Sequence, residues 1–221
     1  MKCAIRQMCF VLLTLPFVAG QALANDAPAK TTKLQTTQDA DGWQGAGRLE
    51  IAHLAYCTGV LIAPDVVMTA AHCLFDPRTQ SPVDPKAVTF RADLRNGRAS
   101  ATLKADGYVI HPDFRYDGES QSSRVTKDLA LVRLSQKAPP ALAPFAAGDR
   151  PRKGSDVDVV SYGQGRDVTP VLEKGCTVLA RRSGMLVLNC DVEFGSSGAP
   201  VFQQDLSGNT HVVSIISSAI E

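Results

Sequence analysis

The chain has 221 residues, with 23 Lys and Arg against 22 Asp and Glu, for a formal charge of +1. That balance excludes an electrostatic nucleic-acid binder, which needs excess cations to meet phosphates. At 44% hydrophobic and 20% charged it is too apolar for disorder. It carries no low-complexity tract, heptad pattern or internal repeat, so fibres, coiled coils and solenoids are excluded.

Lys2 and Arg6 open a basic segment, Cys9 to Gly20 is almost continuously apolar, and Ala22-Leu23-Ala24 places small residues at its first and third positions. This pattern predicts a cleaved secretory signal over residues 1–24, a mature N-terminus at Asn25, and a secreted or periplasmic product. The apolar run is short for a membrane span, although an uncleaved anchor is the other reading. No later segment is long and apolar enough to span a bilayer, so no membrane association is expected after cleavage.

Residues 25–47 are rich in Thr, Gln, Asp, Ala and Gly and read as a flexible leader. Short β-type runs follow: Cys57–Ala63, Val66–Thr69, Ala87–Ala92, Ala101–Ile110, Leu129–Leu134, Val157–Tyr162, Cys176–Ala180, Met185–Cys190, Pro200–Gln203 and Val212–Ser217. Turn signals separate them, among them Asn96-Gly97, Gly163-Gln164-Gly165, Ser183-Gly184 and Ser207-Gly208-Asn209. Many short strands at this spacing argue for an all-β sandwich or barrel. The Pro-rich stretch Ala138 to Pro144 reads as a linker between halves at 48–137 and 138–221.

Signal removal takes away Cys3 and Cys9 and leaves Cys57, Cys73, Cys176 and Cys190. An even count in an exported chain suggests two disulfides; four cysteines allow three connectivities. Proximity favours Cys57–Cys73 and Cys176–Cys190, each worth roughly 3 kcal/mol on the chain-entropy model. The alternative use is zinc, but neither CxxC nor HxxxH spacing is present.

Four histidines are available: His53, His72, His111 and His211. His72 stands out in Thr69-Ala70-Ala71-His72-Cys73, where a strand ends, small residues crowd it and a neighbouring cysteine can pin it. A general base needs such rigid placement. Gly195-Ser196-Ser197-Gly198-Ala199-Pro200 can turn sharply, expose a hydroxyl and converge backbone N–H groups, or be a plain turn. Asp128 opens the apolar run Leu129 to Leu134, where a buried carboxylate needs donors such as a histidine N–H; an ordinary turn aspartate is the other reading.

The run from Cys57-Thr-Gly-Val-Leu-Ile through Thr69-Ala-Ala-His72-Cys73 resembles the histidine block of the chymotrypsin-like (trypsin-fold) serine peptidases. Asp128-Leu-Ala-Leu-Val-Arg-Leu resembles their aspartate block and Gly195-Ser-Ser197-Gly-Ala-Pro-Val their nucleophile block. Val109-Ile-His111-Pro112 resembles a segment upstream of the aspartate. Together these cover roughly residues 45–218. The Gly-x-Ser-Gly-x-Pro core and the few disulfides are similar to the bacterial glutamyl-endopeptidase-like branch.

The resemblance implies an all-β fold of two six-stranded antiparallel β-barrels with the site between them. His72 would take the Ser197 proton, Asp128 would orient the imidazole, and the N–H groups of Gly195 and Ser197 would form the oxyanion hole. Losing one such donor costs roughly 10²–10³ in rate. Cys57–Cys73 would brace the histidine loop. The implied activity is a secreted serine endopeptidase, a monomer acting on protein or peptide substrates without cofactor or metal.

Four departures qualify this expectation. Ser196 stands where trypsin-like enzymes carry an aspartate that binds a new N-terminal ammonium, and no Ile-Val-Gly-Gly start exists, so ammonium-triggered activation is not expected. Asp191 and Ser217 fall at substrate-pocket positions. Asp191 could pair with a basic P1 side chain, but cysteines for the usual pocket disulfide are missing. Ile216 replaces the histidine of glutamyl-specific enzymes. The chain also stops at Glu221, before the last strand and helix of the family, which would leave the second barrel open. A catalytically inactive trypsin-fold binding protein is the alternative. An exported esterase is disfavoured, because α/β-hydrolases order the triad Ser, Asp, His.

Overall fold

The computed structural model describes residues 29–52, 54–116 and 122–217. The expected signal with Cys3 and Cys9, the expected terminus Asn25, and His53 lie outside them. The described chain is almost wholly β: β1 (Lys30–Lys33), β2 (Ala46–Ile51), β3 (Ala55–Ala63), β4 (Val66–Thr69), β5 (Val88–Ala92), β6 (Ala101–Ile110), β7 (Ala130–Leu134), β8 (Asp156–Gly163), β9 (Arg166–Arg182), β10 (Met185–Leu188), β11 (Pro200–Gln204) and β12 (Thr210–Ile215). One helical turn, α1 (Ser122–Val125), precedes β7.

Strands β2 to β7 close into an antiparallel barrel in the order β2-β3-β4-β7-β6-β5. Alternation drives it: Val88, Phe90 and Ala92 point inward from β5, while Thr89 and Arg91 face out. Leu49, Leu61, Val67, Phe90, Leu103 and Val132 fill its interior. The remaining strands form a six-stranded sheet in the order β1-β9-β8-β11-β12, with β10 also paired to β9. Val157, Val159, Val178 and Val201 cover its inner face. The expected all-β, chymotrypsin-like architecture is thus present, with the first barrel closed and the second sheet open among the described residues.

A third apolar cluster joins the two sheets. Val60 of β3 packs with Val160, Leu172, Phe202 and Val212 of the second sheet. Trp43 meets Phe202 edge-on at 5.1 Å, and Phe145 lies 4.5 Å from the same ring. Such aromatic contacts add directional preference to area burial. The stretch Ala138 to Pro144 connects the sheets and is laid onto the first barrel, with Ala138 and Leu142 buried in its core.

The flexible leader expected over residues 25–47 is corrected for its described part, residues 29–47. β1 pairs with β9 from Lys30↔Lys174 to Lys33↔Val171. Leu34 and Trp43 are buried in the cluster between the sheets. Thr36 and Asp39 cap each other: Thr36 N–H donates to Asp39 at 2.9 Å and Asp39 N–H to Thr36 Oγ1 at 3.1 Å. A polar composition hides two apolar anchors, and β2 already begins at Ala46.

Candidate active site

His72 sits in a tight 3-10 turn, Ala71–Leu74, entered directly from β4. The Cys57–Cys73 disulfide ties this turn back to β3. Asp128 lies between α1 and β7, just ahead of the strand, with its side chain only 1% exposed. Its two carboxylate oxygens take separate donors from one residue: Oδ1 accepts the His72 backbone N–H at 2.8 Å, and Oδ2 faces His72 Nδ1 at 2.7 Å. Ser217 Oγ donates to the same Oδ2. Burial pushes the Asp128 carboxyl upward, but the hydrogen bond and charge of His72, then the Ser217 hydroxyl, outweigh it and hold the group below its ordinary value. An ionised carboxylate can only accept, so the ring proton belongs on Nδ1 and Nε2 keeps its lone pair.

Ser197 lies on the loop before β11, in the other sheet. Its placement depends on Thr58 of β3, one residue past the disulfide cysteine. The Thr58 N–H donates to the Ser197 carbonyl at 2.8 Å, and Thr58 Oγ1 donates to the Gly195 carbonyl at 2.9 Å. Thr58 Oγ1 also accepts the Tyr162 N–H at 3.1 Å. The glycines flanking this turn are required by shape. Gly195 has φ +97°, and a Cβ there would come 2.4 Å from the Tyr56 ring. Gly198 has φ +76°, and its Cβ would meet Thr69 Oγ1 at 2.2 Å and the Thr58 carbonyl at 2.3 Å.

The loop amides divide into engaged and open ones. Ser196 N–H donates to Glu193, Gly198 to Ile216 and Ala199 to Ser196. The N–H groups of Gly195 and Ser197, and the Ser197 hydroxyl, have no hydrogen-bond partner among the described residues. Two unengaged amides can donate to an anion that develops at an acyl carbon, and an unengaged hydroxyl can supply the attacking oxygen.

Asp191 and Ser217, the expected pocket residues, both line a cavity of about 740 Å³ with Val192, Val213 and Ile216. Asp128 reaches the same cavity. The Ser217 hydroxyl is nevertheless committed to Asp128, so on this wall it is a donor to that carboxylate as well as a lining residue. The Asp191 N–H donates to the buried carboxylate of Glu173, at 2.8 and 3.1 Å to its two oxygens. Burial pushes the Glu173 carboxyl above its ordinary value; the Asp191 amide opposes this and the Asp191 charge adds to it. The Cys176–Cys190 disulfide closes beside this pair.

The other described histidines serve local turns. His111 Nδ1 accepts the Asp113 N–H at 3.2 Å, and His211 Nε2 meets Asp205 at 3.0 Å. Two clusters have metal-ligand residue types, Cys57/His72/Cys73 and Glu173/Cys176/Cys190. Their thiols are all bound in disulfides, which leaves each cluster one free donor side chain.

Three further residues at this site escaped the sequence reading: Thr58, Glu173 and Arg166. Thr58 could have been flagged as the one threonine inside the largely apolar strand β3. Glu173 and Arg166 sit in polar stretches without a pattern, and only their long-range partners single them out.

Residues 57–209 match the model of the trypsin-like peptidase domain, and the chain belongs to this family. The chain is 25% identical to trypsin Blo t 3 of Blomia tropicalis over 157 residues, 66% of this chain and 53% of that protein. It therefore spans about half the length of this curated relative. Among solved structures it is similar to a Glu endopeptidase in complex with MPD, with TM-score 0.67, 14% identity, and coverage of 90% of this chain and 88% of the other. It is also similar to the thermostable serine protease AL20 from an extremophilic microorganism, with TM-score 0.63, 18% identity and coverage of 82% and 88%. At these identities the structural likeness establishes the fold.

Proposed function

We propose that this chain is an exported serine endopeptidase that hydrolyses peptide bonds through an acyl-enzyme. The observation that carries this reading is the two-point grip of a buried, ionised Asp128 on His72, in a chain of the trypsin-like peptidase family.

Ser197 Oγ attacks the scissile carbonyl carbon while its proton passes to His72 Nε2. The carbonyl oxygen becomes an oxyanion and is met by the N–H groups of Gly195 and Ser197. The imidazolium, held by Asp128, gives its proton to the leaving amine, and the C–N bond breaks. Water then repeats the sequence against the ester, with His72 again as base, and returns Ser197. No cofactor or metal enters these steps. Asp191, on the cavity that adjoins Asp128, supplies a negative charge for a Lys or Arg side chain at P1. The two disulfides fit an oxidising compartment, and the signal-like residues 1–24 supply the route there. Among the described residues no helix is long and apolar enough to cross a membrane.

Labelling residues 25–221 with a fluorophosphonate probe, beside Ser197→Ala and His72→Ala, tests the reading. Wild-type labelling that both substitutions abolish is the expected result. A folded wild type that stays unlabelled overturns it and leaves the binding-protein alternative. Matched peptides cleaved after Lys, Glu and Phe then test the P1 preference, which fails if Lys is not favoured.

A further inference from the structure

The loop from Asp191 to Ala199 has to hold two amides and one hydroxyl at fixed angles, yet it lies outside any strand. Its bonds to Thr58 fasten the carbonyls of Gly195 and Ser197. They leave Glu193 and Ser196, on the far side of the turn, to be held by something else. The group that reaches both is a single side chain, Arg166.

Arg166 opens β9 and pairs with Gly163, the last residue of β8, across the two-residue turn Gln164–Gly165. Its side chain is 14% exposed. Nη1 is fixed on β8 itself, donating to the Ser161 carbonyl at 3.2 Å and to Ser161 Oγ at 2.9 Å. The other two nitrogens face the loop. Nη2 donates to Ser196 Oγ at 3.4 Å, and Nε meets Glu193 Oε2 at 3.4 Å. Ser196, 1% exposed, passes the contact on: its Oγ donates to the Tyr162 carbonyl at 3.2 Å and accepts the Glu193 N–H at 3.3 Å. A second link runs alongside, where the Gln164 N–H donates to the Phe194 carbonyl at 2.9 Å. A Cβ at Gly163 would come 2.7 Å from Arg166 Nε, so glycine at that position leaves the guanidinium its place.

We infer that Arg166 is the positioning residue of the nucleophile loop, holding Glu193 and Ser196 so that the amides of Gly195 and Ser197 point at one spot. The inference rests on the peptidase reading for its catalytic consequence, but the loop-holding itself does not. A planar fork with several fixed donors suits the task better than a point charge, because each nitrogen has its own partner. The cation comes from within the β8–β9 hairpin, so the loop needs no newly formed chain terminus to take its shape.

The test uses Arg166→Ala and Arg166→Lys in residues 25–221 and reads two quantities. The first is amide hydrogen exchange at Ser196, Gly198 and Ala199, with the amides of the first barrel as an internal reference. The second is the rate of fluorophosphonate labelling at Ser197. The alanine variant is expected to speed exchange in the loop at least about tenfold while the first barrel is unchanged. It should slow labelling by about 10²-fold, the scale of one misdirected oxyanion donor. Added methylguanidinium should restore labelling saturably, a response that lost packing alone would not give. The lysine variant should lie between alanine and wild type, and it decides the matter if alanine does not fold. Unchanged exchange and unchanged labelling in a folded variant overturn the inference. So does faster exchange spread evenly over both sheets without guanidinium rescue, which would make Arg166 a general stabiliser. If wild type itself does not label, the peptidase reading falls and the exchange result alone decides whether Arg166 holds the loop.

Discussion

Thr58→Val removes a hydroxyl while keeping the side chain's shape. Thr58 is fully buried and its Oγ1 serves both halves of the molecule, accepting the Tyr162 N–H at 3.1 Å and donating to the Gly195 carbonyl at 2.9 Å. Valine leaves the backbone bond from Thr58 N–H to the Ser197 carbonyl intact. It strands the amide of Tyr162, a residue with no exposure, at a cost of about 1–3 kcal/mol, the range for an unsatisfied buried donor. The Gly195 carbonyl lies in a half-buried residue that water can reach, so its lost bond costs about 0.5–1.5 kcal/mol. Together these come to about 1.5–4.5 kcal/mol. With a urea slope of about 2 kcal/mol/M, the unfolding midpoint should fall by about 1–2 M at constant slope. Thr58→Ser is the control: it keeps the hydroxyl, loses one methyl, and should cost about 1 kcal/mol. Because the freed carbonyl belongs to the residue carrying one of the two open amides, fluorophosphonate labelling should slow by up to about 10²-fold in the valine variant and hardly at all in the serine variant. Equal urea midpoints for the two variants would refute the argument that this hydroxyl fastens the loop to the first barrel.

Two other perturbations address the pocket and the turn. Glu173 has its carboxyl raised above the ordinary 4.5 by burial, so its favourable contribution is complete below that pH and is lost as pH rises through the raised value. Glu173→Gln should therefore stabilise the protein more at pH 7 than at pH 4, read as the difference in thermal midpoint between the variant and wild type; a pH-independent difference would contradict the assignment. Gly198→Ala places a Cβ 2.2 Å from Thr69 Oγ1 at φ +76°. The left-handed conformation costs about 1–2 kcal/mol and the overpacking about 1–3 kcal/mol. A melting midpoint lower by about 5–15 °C follows for a protein of this size, and a variant melting with wild type would show that the turn yields freely.

Strands β3 to β7 of the first barrel are legible because each presents apolar residues over a run bounded by turn residues. The expected run Val66–Thr69 is β4 and Ala101–Ile110 is β6 without adjustment. β2 was missed since Gly47, Arg48 and Glu50 break its pattern; Arg48 and Glu50 form an ion pair on the outer face, which only the paired strands reveal. β1 was missed for a different reason: four polar residues make a strand only because β9 offers an edge. β9 runs ten residues further back than the expected Cys176–Ala180, since Glu173-Lys174-Gly175 interrupts the apolar pattern and is held within a long strand by β1 and β8. At the site, His72 and Asp128 could be singled out by local context, and the structure brings them to 2.7 Å. The hydroxyl of Ser217 on Asp128 joins positions 89 residues apart, and nothing local to either residue signals it.

Bonds cross between the sheets in both directions, and this arrangement makes their interface part of the site. The first barrel contributes His72 and Asp128, yet Asp128 draws one donor from Ser217, just beyond β12 of the second sheet. The second sheet contributes Ser197, yet its loop is fastened by Thr58 of β3 in the first. A slip of one sheet against the other would break both sets together. What resists that slip is the cluster of Trp43, Val60, Phe145 and Phe202, with Leu34 at its edge. Apolar packing of this kind resists displacement collectively, since each contact is small and any shift loses many at once. Leu34 and Trp43 come from the stretch whose composition reads as a loose leader, and β1 extends the same stretch along β9, the strand that begins with Arg166. The segment that looks most dispensable in the sequence therefore braces the surface on which the two halves of the site meet.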